Sequence, residues 1–210
     1  MQTELFASPA GWQRLSMEDA EVDFLEGFYT QDEARLYFQA LLEESAWRHE
    51  MLRLWGKEIA QPRLTAWYGD AGKEYRFSGL SLQPNPWTPL LLKMKQDILA
   101  ATGDDFNSVL LNLYRNEQDS VAWHSDDESE LGKQPVIVSL SLGATRTFKF
   151  RHKTKGHKVS VDLPAGSLLR MAGGTQRYWA HAVLKEKVPM EARINLTFRQ
   201  IQLRPVQSRI

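Results

Sequence analysis

The sequence predicts a β-rich α+β domain, a barrel or sandwich supported by helices near its N-terminus. Two helical patterns come early in the chain, and from about Asn107 onward the pattern changes to short runs of alternating residues. Helices followed by many short strands are typical of this fold class. The 210 residues contain no internal repeat and no linker that would divide two domains, so we expect a single domain.

Both helical patterns carry boundary signals. In TQDEARLYFQALLEES, Thr30 and Glu33 have the spacing of a capping box, and the apolar residues fall on one helix face. In PWTPLLLKMKQDILAATG, Pro89 suits the first turn of a helix and Gly103 suits its end. We therefore expect two helices in the first half of the chain.

Six short runs predict the strands of the second half. Turn sequences separate them, among them KQP, KTKG, LPAGS and MAGG. Successive side chains of a strand point to opposite faces, so these runs would form sheets with at least one apolar face. The runs are SVLLNLY, VIVSLSL, TFKFRH, HKVSVDL, SLLRM and RINLTFRQI.

Composition excludes several kinds of site. The absence of cysteine excludes disulfide frameworks, thiolate metal sites and cysteine nucleophiles. The first residues do not resemble a secretory leader, and no apolar run reaches about 18 residues, so we expect an intracellular protein, cytoplasmic if bacterial, with no membrane segment. The net charge is zero, yet residues 146–158 hold six Lys or Arg and no acid. A solvated loop is the commoner explanation of such a run.

The stretch VAWHSDDESEL is a candidate metal site. If its strand continues past His124, the side chains of His124 and Asp126 share a face and Asp127 points away. A solvated acidic turn explains the same residues, because His-x-Asp alone is a weak pattern. A facial metal triad would need a third ligand, and a second histidine is the usual one.

Four other histidines could supply that ligand. His49 falls near the end of a helical segment, and His152 and His157 lie in the basic run. His181 follows aromatic residues and precedes the last strong strand, which makes it the best candidate. Taken alone, a structural role is the commoner one for such a histidine.

The last predicted strand has a wholly polar face. An antiparallel strand with one face in water has this appearance, but a polar face turned inward could hold a dicarboxylate, with arginine as its bidentate partner. The same alternation occurs in LNLY, where Asn112 and Tyr114 share a face. The polar residues of the last strand are Arg193, Asn195, Thr197 and Arg199.

Taken in order, NLY, HSD, a lone histidine and RINLTFR resemble the AlkB family of Fe(II)- and 2-oxoglutarate-dependent dioxygenases. The longer blocks QPRLTAWYGDAGKEYRFSGLSLQPNPW, FKFRHK and LPAGSLLRM resemble the branch of that family that repairs alkylated duplex DNA. The resemblance covers about Leu54 to Ile201. It implies a double-stranded β-helix, or jelly roll, with supporting N-terminal helices. It also implies one dioxygenase domain over residues 1–210, with an N-terminal extension at 1–50 and a nucleotide-recognition lid at 51–85.

The resemblance assigns roles to two sets of residues. The residues implied as iron ligands are His124, Asp126 and His181. Those implied to line the 2-oxoglutarate pocket are Asn112, Tyr114, Arg193, Asn195, Thr197 and Arg199, with Arg193 at the far carboxylate. The implied reaction uses Fe(II), 2-oxoglutarate and O2 to demethylate N-alkylated bases of the 1-methyladenine and 3-methylcytosine type. Its products are succinate, CO2 and formaldehyde.

The resemblance also implies substrate contacts. Trp55 would wedge into the base stack, although the family residue at this position is Phe and a buried Trp at a helix end is a comparable alternative. Arg63 would lie near the displaced strand. Tyr75 and Phe77 would contact the flipped base, or simply alternate in a hairpin. Glu128 would lie near the exocyclic nitrogen of the base, or on the surface as an ordinary carboxylate.

The implied partner is alkylated DNA, double- or single-stranded, with RNA as an alternative, and the basic run would contact phosphates. A monomer is expected. Two other interpretations stay open. One is the same chemistry on RNA, a free nucleotide or a protein. The other is a non-catalytic β-sandwich that binds nucleic acid.

Overall fold

The structure is a computed structural model that describes residues 11–54, 57–71, 75–77 and 80–202. Within these ranges no helix is long and apolar enough to cross a membrane. In chain order the elements are β1 (Gln13–Arg14), β2 (Glu21–Leu25), α1 (Gln31–Glu44), β3 (Met51–Leu54), β4 (Lys57–Ala60), β5 (Leu64–Gly69), β6 (Tyr75–Phe77), β7 (Leu80–Leu82), α2 (Pro89–Thr102), β8 (Ser108–Tyr114), β9 (Val121–His124), a 3-10 turn (Ser129–Leu131), β10 (Ile137–Gly143), β11 (Arg146–His152), β12 (Lys158–Leu163), β13 (Leu168–Ala172), α3 (Thr175–Tyr178), β14 (Trp179–Val183) and β15 (Arg193–Arg199).

The two predicted helices are confirmed, with the predicted ends. The Thr30 hydroxyl accepts a hydrogen bond from the backbone N–H of Glu33, whose carboxylate accepts one from the N–H of Thr30, so the capping box is complete. Helix α2 begins at Pro89, after the capping residue Thr88. It ends at Thr102, and the capping residue Gly103 has a φ of 76°, in the left-handed region that favours glycine.

Two antiparallel sheets form the body of the domain. The large sheet has the strand order β1-β2-β13-β10-β15-β8-β5, and the small sheet has the order β12-β11-β14-β9. One apolar cluster joins residues of the small sheet, such as Phe148 and Phe150, to residues of the large sheet, such as Ile137 and Met171. A second cluster joins the other face of the large sheet to α1 and α2. This arrangement agrees with the predicted jelly roll supported by helices.

Strands are not confined to the part of the chain after Asn107. Among the described residues seven short strands precede it, and three of them, β1, β2 and β5, belong to the large sheet. There β2 pairs with β1 and β13, and β5 pairs with β8. A five-residue alternation such as EVDFL gives little local signal, and its pairing with β13 decides the outcome. His49 also lies outside a helix, because α1 ends at Glu44.

Residues 51–85, the predicted lid, contain two small hairpins, β3–β4 and β6–β7. Between them runs β5, which is an integral strand of the large sheet. Of the strands described in this range, only those of the two hairpins lie outside the large sheet and could form a lid. Their role as a lid stays a prediction.

Candidate active site

The two histidines of the candidate triad lie side by side in the small sheet. Strands β9 and β14 are antiparallel neighbours in which His124 and His181 are direct partners. Their ring centroids are 4.3 Å apart. Strand β9 ends at His124, so Asp126 approaches them from the following loop and not by continued strand alternation. One ligand atom from each of the three residues lies within 4.8 Å of the others.

Hydrogen bonds orient the atoms of the triad that could bind a metal. The Nδ1–H of His124 donates to the carbonyl of Ala122 at 2.8 Å, which leaves Nε2 as the ligand atom. One oxygen of Asp126 accepts a 2.7 Å hydrogen bond from Arg199, and the other lies 3.7 Å from Nε2 of His181. One oxygen of the Asp126 carboxylate is therefore paired with an arginine, and the other lies near the imidazole of His181.

Electrostatics keep two of the three residues, Asp126 and His181, in the protonation states that bind a cation. Burial and the neighbouring His124 lower the pKa of His181 to about 3, so its imidazole is neutral at pH 7. Burial raises the pKa of Asp126, but Arg199, His181 and His124 outweigh that effect and hold it below the usual value. Asp127 is exposed and pairs with Lys153 at 3.2 Å, so it points away from the triad as expected.

A cavity of about 630 Å³ opens beside the triad. All three triad residues line it, as do five of the six residues predicted to bind 2-oxoglutarate. Their polar side chains are buried, so the alternative of a solvated face on β15 is wrong. The five are Asn112, Tyr114, Asn195, Thr197 and Arg199.

Arg193, the sixth predicted residue, lies deeper in the molecule and is only 1% exposed. It donates to the Ser141 hydroxyl at 2.9 Å, and its guanidinium lies 5.3 Å from the ring centroid of Tyr114. Burial lowers the pKa of Arg193 to about 10, so the side chain stays charged at neutral pH. Its Nε and Nη1 atoms are buried without a hydrogen-bond partner in the described structure. A buried cation with two unsatisfied donors fits the far carboxylate of a bound dicarboxylate.

Hydrogen bonds within the large sheet fix the other polar groups of the cavity. The Asn195 side-chain amide donates to the Ser139 hydroxyl at 2.6 Å, and the Thr197 hydroxyl donates to the side-chain Oδ1 of Asn195 at 3.0 Å. The side-chain Oδ1 of Asn112 accepts a 2.7 Å hydrogen bond from Nε of Arg63. Each side chain is held before any ligand enters, as a preorganised site requires.

The position of Arg63 corrects one expectation. We expected this residue beside a displaced nucleic-acid strand, but it is only 6% exposed and lines the cavity. It is held there by Asn112 and by the carbonyl of Ser120 at 3.4 Å. Strand β5 begins at the next residue and pairs with β8, which carries Asn112, so tertiary pairing turns the arginine inward.

Glu128 lies at the cavity wall, and one of its carboxylate oxygens is buried without a hydrogen-bond partner among the described residues. The surface-carboxylate alternative therefore does not describe it. It reaches the cavity from a loop before the 3-10 turn, because β9 has already ended.

The sequence did not single out several apolar residues of this wall. Phe148 stacks on the ring of His181, with centroids 5.1 Å apart and an interplanar angle of 24°. Met171 and Leu184 also line the cavity. The alternation in TFKF would have turned Phe148 inward, but nothing in the sequence indicates which inward residues meet the metal ligands.

Three predicted substrate contacts cannot be placed. Trp55 lies outside the described residues. Tyr75 and Phe77 belong to β6, whose backbone pairs with β7, but their side chains also lie outside the described part of the chain. Their contacts with a base stay predictions.

The basic run is less available to phosphates than its composition suggests. Arg146 is only 1% exposed and donates to the carbonyls of Asp119 and Leu184. Lys153 pairs with Asp127, and Lys155 pairs with two acids of the N-terminal segment. The cations of the run outside these interactions are Lys149, Arg151 and Lys158 on the outer face of the small sheet.

A family model described as the 2OG-Fe(II) oxygenase superfamily matches residues 21–199. The bovine alpha-ketoglutarate-dependent dioxygenase alkB homolog 3 is 43% identical, over 94% of this chain and 70% of that protein. The protein belongs to the AlkB family of this superfamily. As a member it is an Fe(II)- and 2-oxoglutarate-dependent dioxygenase, with O2 as its second co-substrate.

Other AlkB-family proteins are similar to the chain over most of its length. The human DNA oxidative demethylase ALKBH2 is 37% identical, over 91% of this chain and 77% of that protein. The solved structure of OsALKBH1 covers 90% of this chain and 99% of its own, with a TM-score of 0.60 and 20% identity. The structural likeness confirms the jelly-roll fold of the family.

Proposed function

We propose that this AlkB-family enzyme is a DNA repair dioxygenase that demethylates N-alkylated bases of the 1-methyladenine and 3-methylcytosine type. The observation that carries the proposal is the convergence of His124, Asp126 and His181 on the wall of a cavity that Arg63 and Arg199 also line. The relatives named DNA oxidative demethylases support the substrate class.

We infer that Fe(II) is held by Nε2 of His124, the free oxygen of Asp126 and His181. Two histidines and one carboxylate on one side of an ion leave positions open for co-substrates. When bound, Fe(II) supplies the oxidation of an N-methyl group by O2, coupled to conversion of 2-oxoglutarate to succinate and CO2. Arg199 holds the second oxygen of Asp126, which keeps the carboxylate directed at one ion.

The co-substrate is proposed to lie along β15. Its far carboxylate would accept hydrogen bonds from Nε and Nη1 of Arg193, the two donors that lack partners. Its other end would lie towards Arg199 and the triad. Tyr114, Asn112 and Asn195 form the wall between these two ends.

The substrate base would enter the cavity from the side of Glu128. Its target atom must leave the base stack to reach so buried a site. A methylated adenine or cytosine is cationic, and the unpartnered carboxylate oxygen of Glu128 can stabilise that charge. Phe148 and Met171 supply apolar wall that excludes water. After oxidation, the hydroxymethyl group on the base nitrogen breaks down to formaldehyde and the restored base.

Nucleic-acid backbone contacts are proposed for the outer face of the small sheet. Lys149, Arg151 and Lys158 lie there, and Arg151 stacks over Trp123, which lines the cavity. Three cations give a salt-dependent affinity that is largely independent of sequence. We propose a monomeric enzyme that accepts duplex and single-stranded DNA.

The proposal is tested by formaldehyde release from matched methylated DNA, RNA and nucleotide, with succinate measured in parallel. We expect succinate and formaldehyde in equal amounts, with methylated DNA as the preferred substrate. Faster release from RNA would move the function to RNA repair. Consumption of 2-oxoglutarate without formaldehyde from any of the three would overturn the substrate class.

A further inference from the structure

Asp126 is the one member of the triad that no sheet holds in place. Strand β9 ends at His124, so the backbone of Asp126 has no ladder partner, although the residue is only 3% exposed. A buried backbone N–H needs an acceptor, and leaving it unpaired is costly. The acceptor that this N–H finds therefore determines where the carboxylate can lie.

That acceptor is the side-chain amide of Gln176. Its Oε1 accepts the hydrogen bond from the Asp126 N–H at 3.0 Å. Gln176 belongs to the short helix α3 and is only 1% exposed. Its Nε2 is directed at the sulfur of Met171, at 3.6 Å, and Met171 lines the cavity. The amide thus lies between the backbone of a metal ligand and the cavity wall.

Further hydrogen bonds join the loop of residues 125–127 to the segment of residues 175–179. The Ser125 hydroxyl donates to the carbonyl of Trp179 at 2.9 Å. Lys153 bridges Asp127 and the backbone carbonyl of Gln176. This segment continues directly into β14, which carries His181. Among the described contacts, the Gln176 amide is the one from this segment that reaches Asp126 itself.

We propose that Gln176 is a positioning residue that sets the distance between the Asp126 carboxylate and His181. Its contribution is a neutral acceptor at a fixed position, which holds the backbone of one ligand against the segment that carries another. The inference rests on the metal site in the proposed function. It predicts that iron affinity depends on the acceptor atom and not on the volume of the side chain.

The test is an anaerobic titration of Fe(II) into the enzyme in the presence of 2-oxoglutarate. Binding is monitored by the visible charge-transfer absorbance of the ternary complex. Gln176→Met keeps the approximate length of the side chain but removes the acceptor. We expect its apparent iron affinity to fall about 10- to 100-fold, the range for groups that orient metal ligands. Gln176→Glu keeps an acceptor and should lose less affinity than Gln176→Met.

Two controls separate this effect from others. Gln96→Met, on the exposed face of α2, should bind iron as the parent does. The melting temperature of each metal-free variant shows whether it is folded. If Gln176→Met does not fold, Gln176→Asn replaces it, because it withdraws the acceptor by one methylene and stays polar. It should show the same loss.

The outcomes are distinct. A parent enzyme that gives no absorbance band would contradict the metal site and with it the proposed function. A normal parent with a folded Gln176→Met or Gln176→Asn variant that binds iron within twofold of it would overturn the positioning role alone. Equal losses in Gln176→Met and Gln176→Glu would also overturn it, because the acceptor would then not matter.

Discussion

Replacement of Arg193 by methionine should remove 2-oxoglutarate binding without weakening the apoprotein. The native guanidinium is buried and donates to Ser141, while its Nε and Nη1 have no hydrogen-bond partner among the described residues. No acidic side chain is paired with it in the described structure, and an apolar residue of similar length at such a site is often neutral or stabilising. We therefore expect an apoprotein melting temperature equal to or above that of the parent.

The loss of co-substrate affinity follows from the same two donors. Truncating one partner of a buried, hydrogen-bonded charge pair costs about 2 to 5 kcal/mol. Since 1.4 kcal/mol corresponds to a factor of about ten, the dissociation constant for 2-oxoglutarate should rise from about 30-fold to a few thousand-fold. The gain in melting temperature that 2-oxoglutarate gives the parent should disappear in the variant.

The assay compares 2-oxoglutarate with 2-oxopentanoate, which lacks the far carboxylate. The parent should bind 2-oxoglutarate more tightly by the factor above, and Arg193→Met should bind both compounds equally weakly. Arg35→Met, at an exposed ion pair on α1, is the matched control and should change neither affinity. The reasoning is refuted if Arg193→Met destabilises the apoprotein while its preference for 2-oxoglutarate survives.

Three further predictions address the ligands and the substrate. Asp126→Ala should abolish iron retention and formaldehyde release, whereas Asp127→Ala should change neither; equal tolerance of both would contradict the triad. His181 has a folded pKa of about 3, below its unfolded value, so it binds a proton only on unfolding and apoprotein stability should fall between pH 6.5 and 3. Urea unfolding at several pH values gives the slope of the unfolding free energy against pH. His181→Leu should reduce this slope by up to about 1.4 kcal/mol per pH unit, and an unchanged slope would refute the assignment. Trp55→Ala should reduce repair of duplex more than of single strands, and equal loss would exclude a wedge.

The parts of the fold that could be predicted were those with local causes. The capping box at Thr30 and the glycine at Gly103 define helix ends through contacts within a few residues, so both helices have their predicted limits. Strand β2 has no such local signal. It exists because β13 offers it a partner some 145 residues further along the chain, and a short window of sequence does not contain that information.

The candidate site divides in the same way. The order of the motifs predicted the three candidate ligands and the polar residues of β15, since each motif is a short pattern of residue types, and the structure brings the three candidate ligands together. The hydrogen bonds from Arg63 to Asn112 and from Asp126 to Gln176 join residues about 50 positions apart. The residue types alone do not indicate which residues will be partners. The basic run of residues 146–158 was overestimated as a charged surface. Its composition includes Arg146 among the surface cations, but Arg146 is buried in the packed sheet.

The sequence by itself determined the chemistry of this protein, because the identity of a metal ligand or of a carboxylate-binding arginine is a property of the residue and its motif. Only the tertiary structure decided which way the polar face of β15 turns. One register of the antiparallel sheet would turn these polar side chains towards the apolar core formed with α1 and α2, and another turns them towards the side of the cavity. The pairing of β15 between β10 and β8 selects the second.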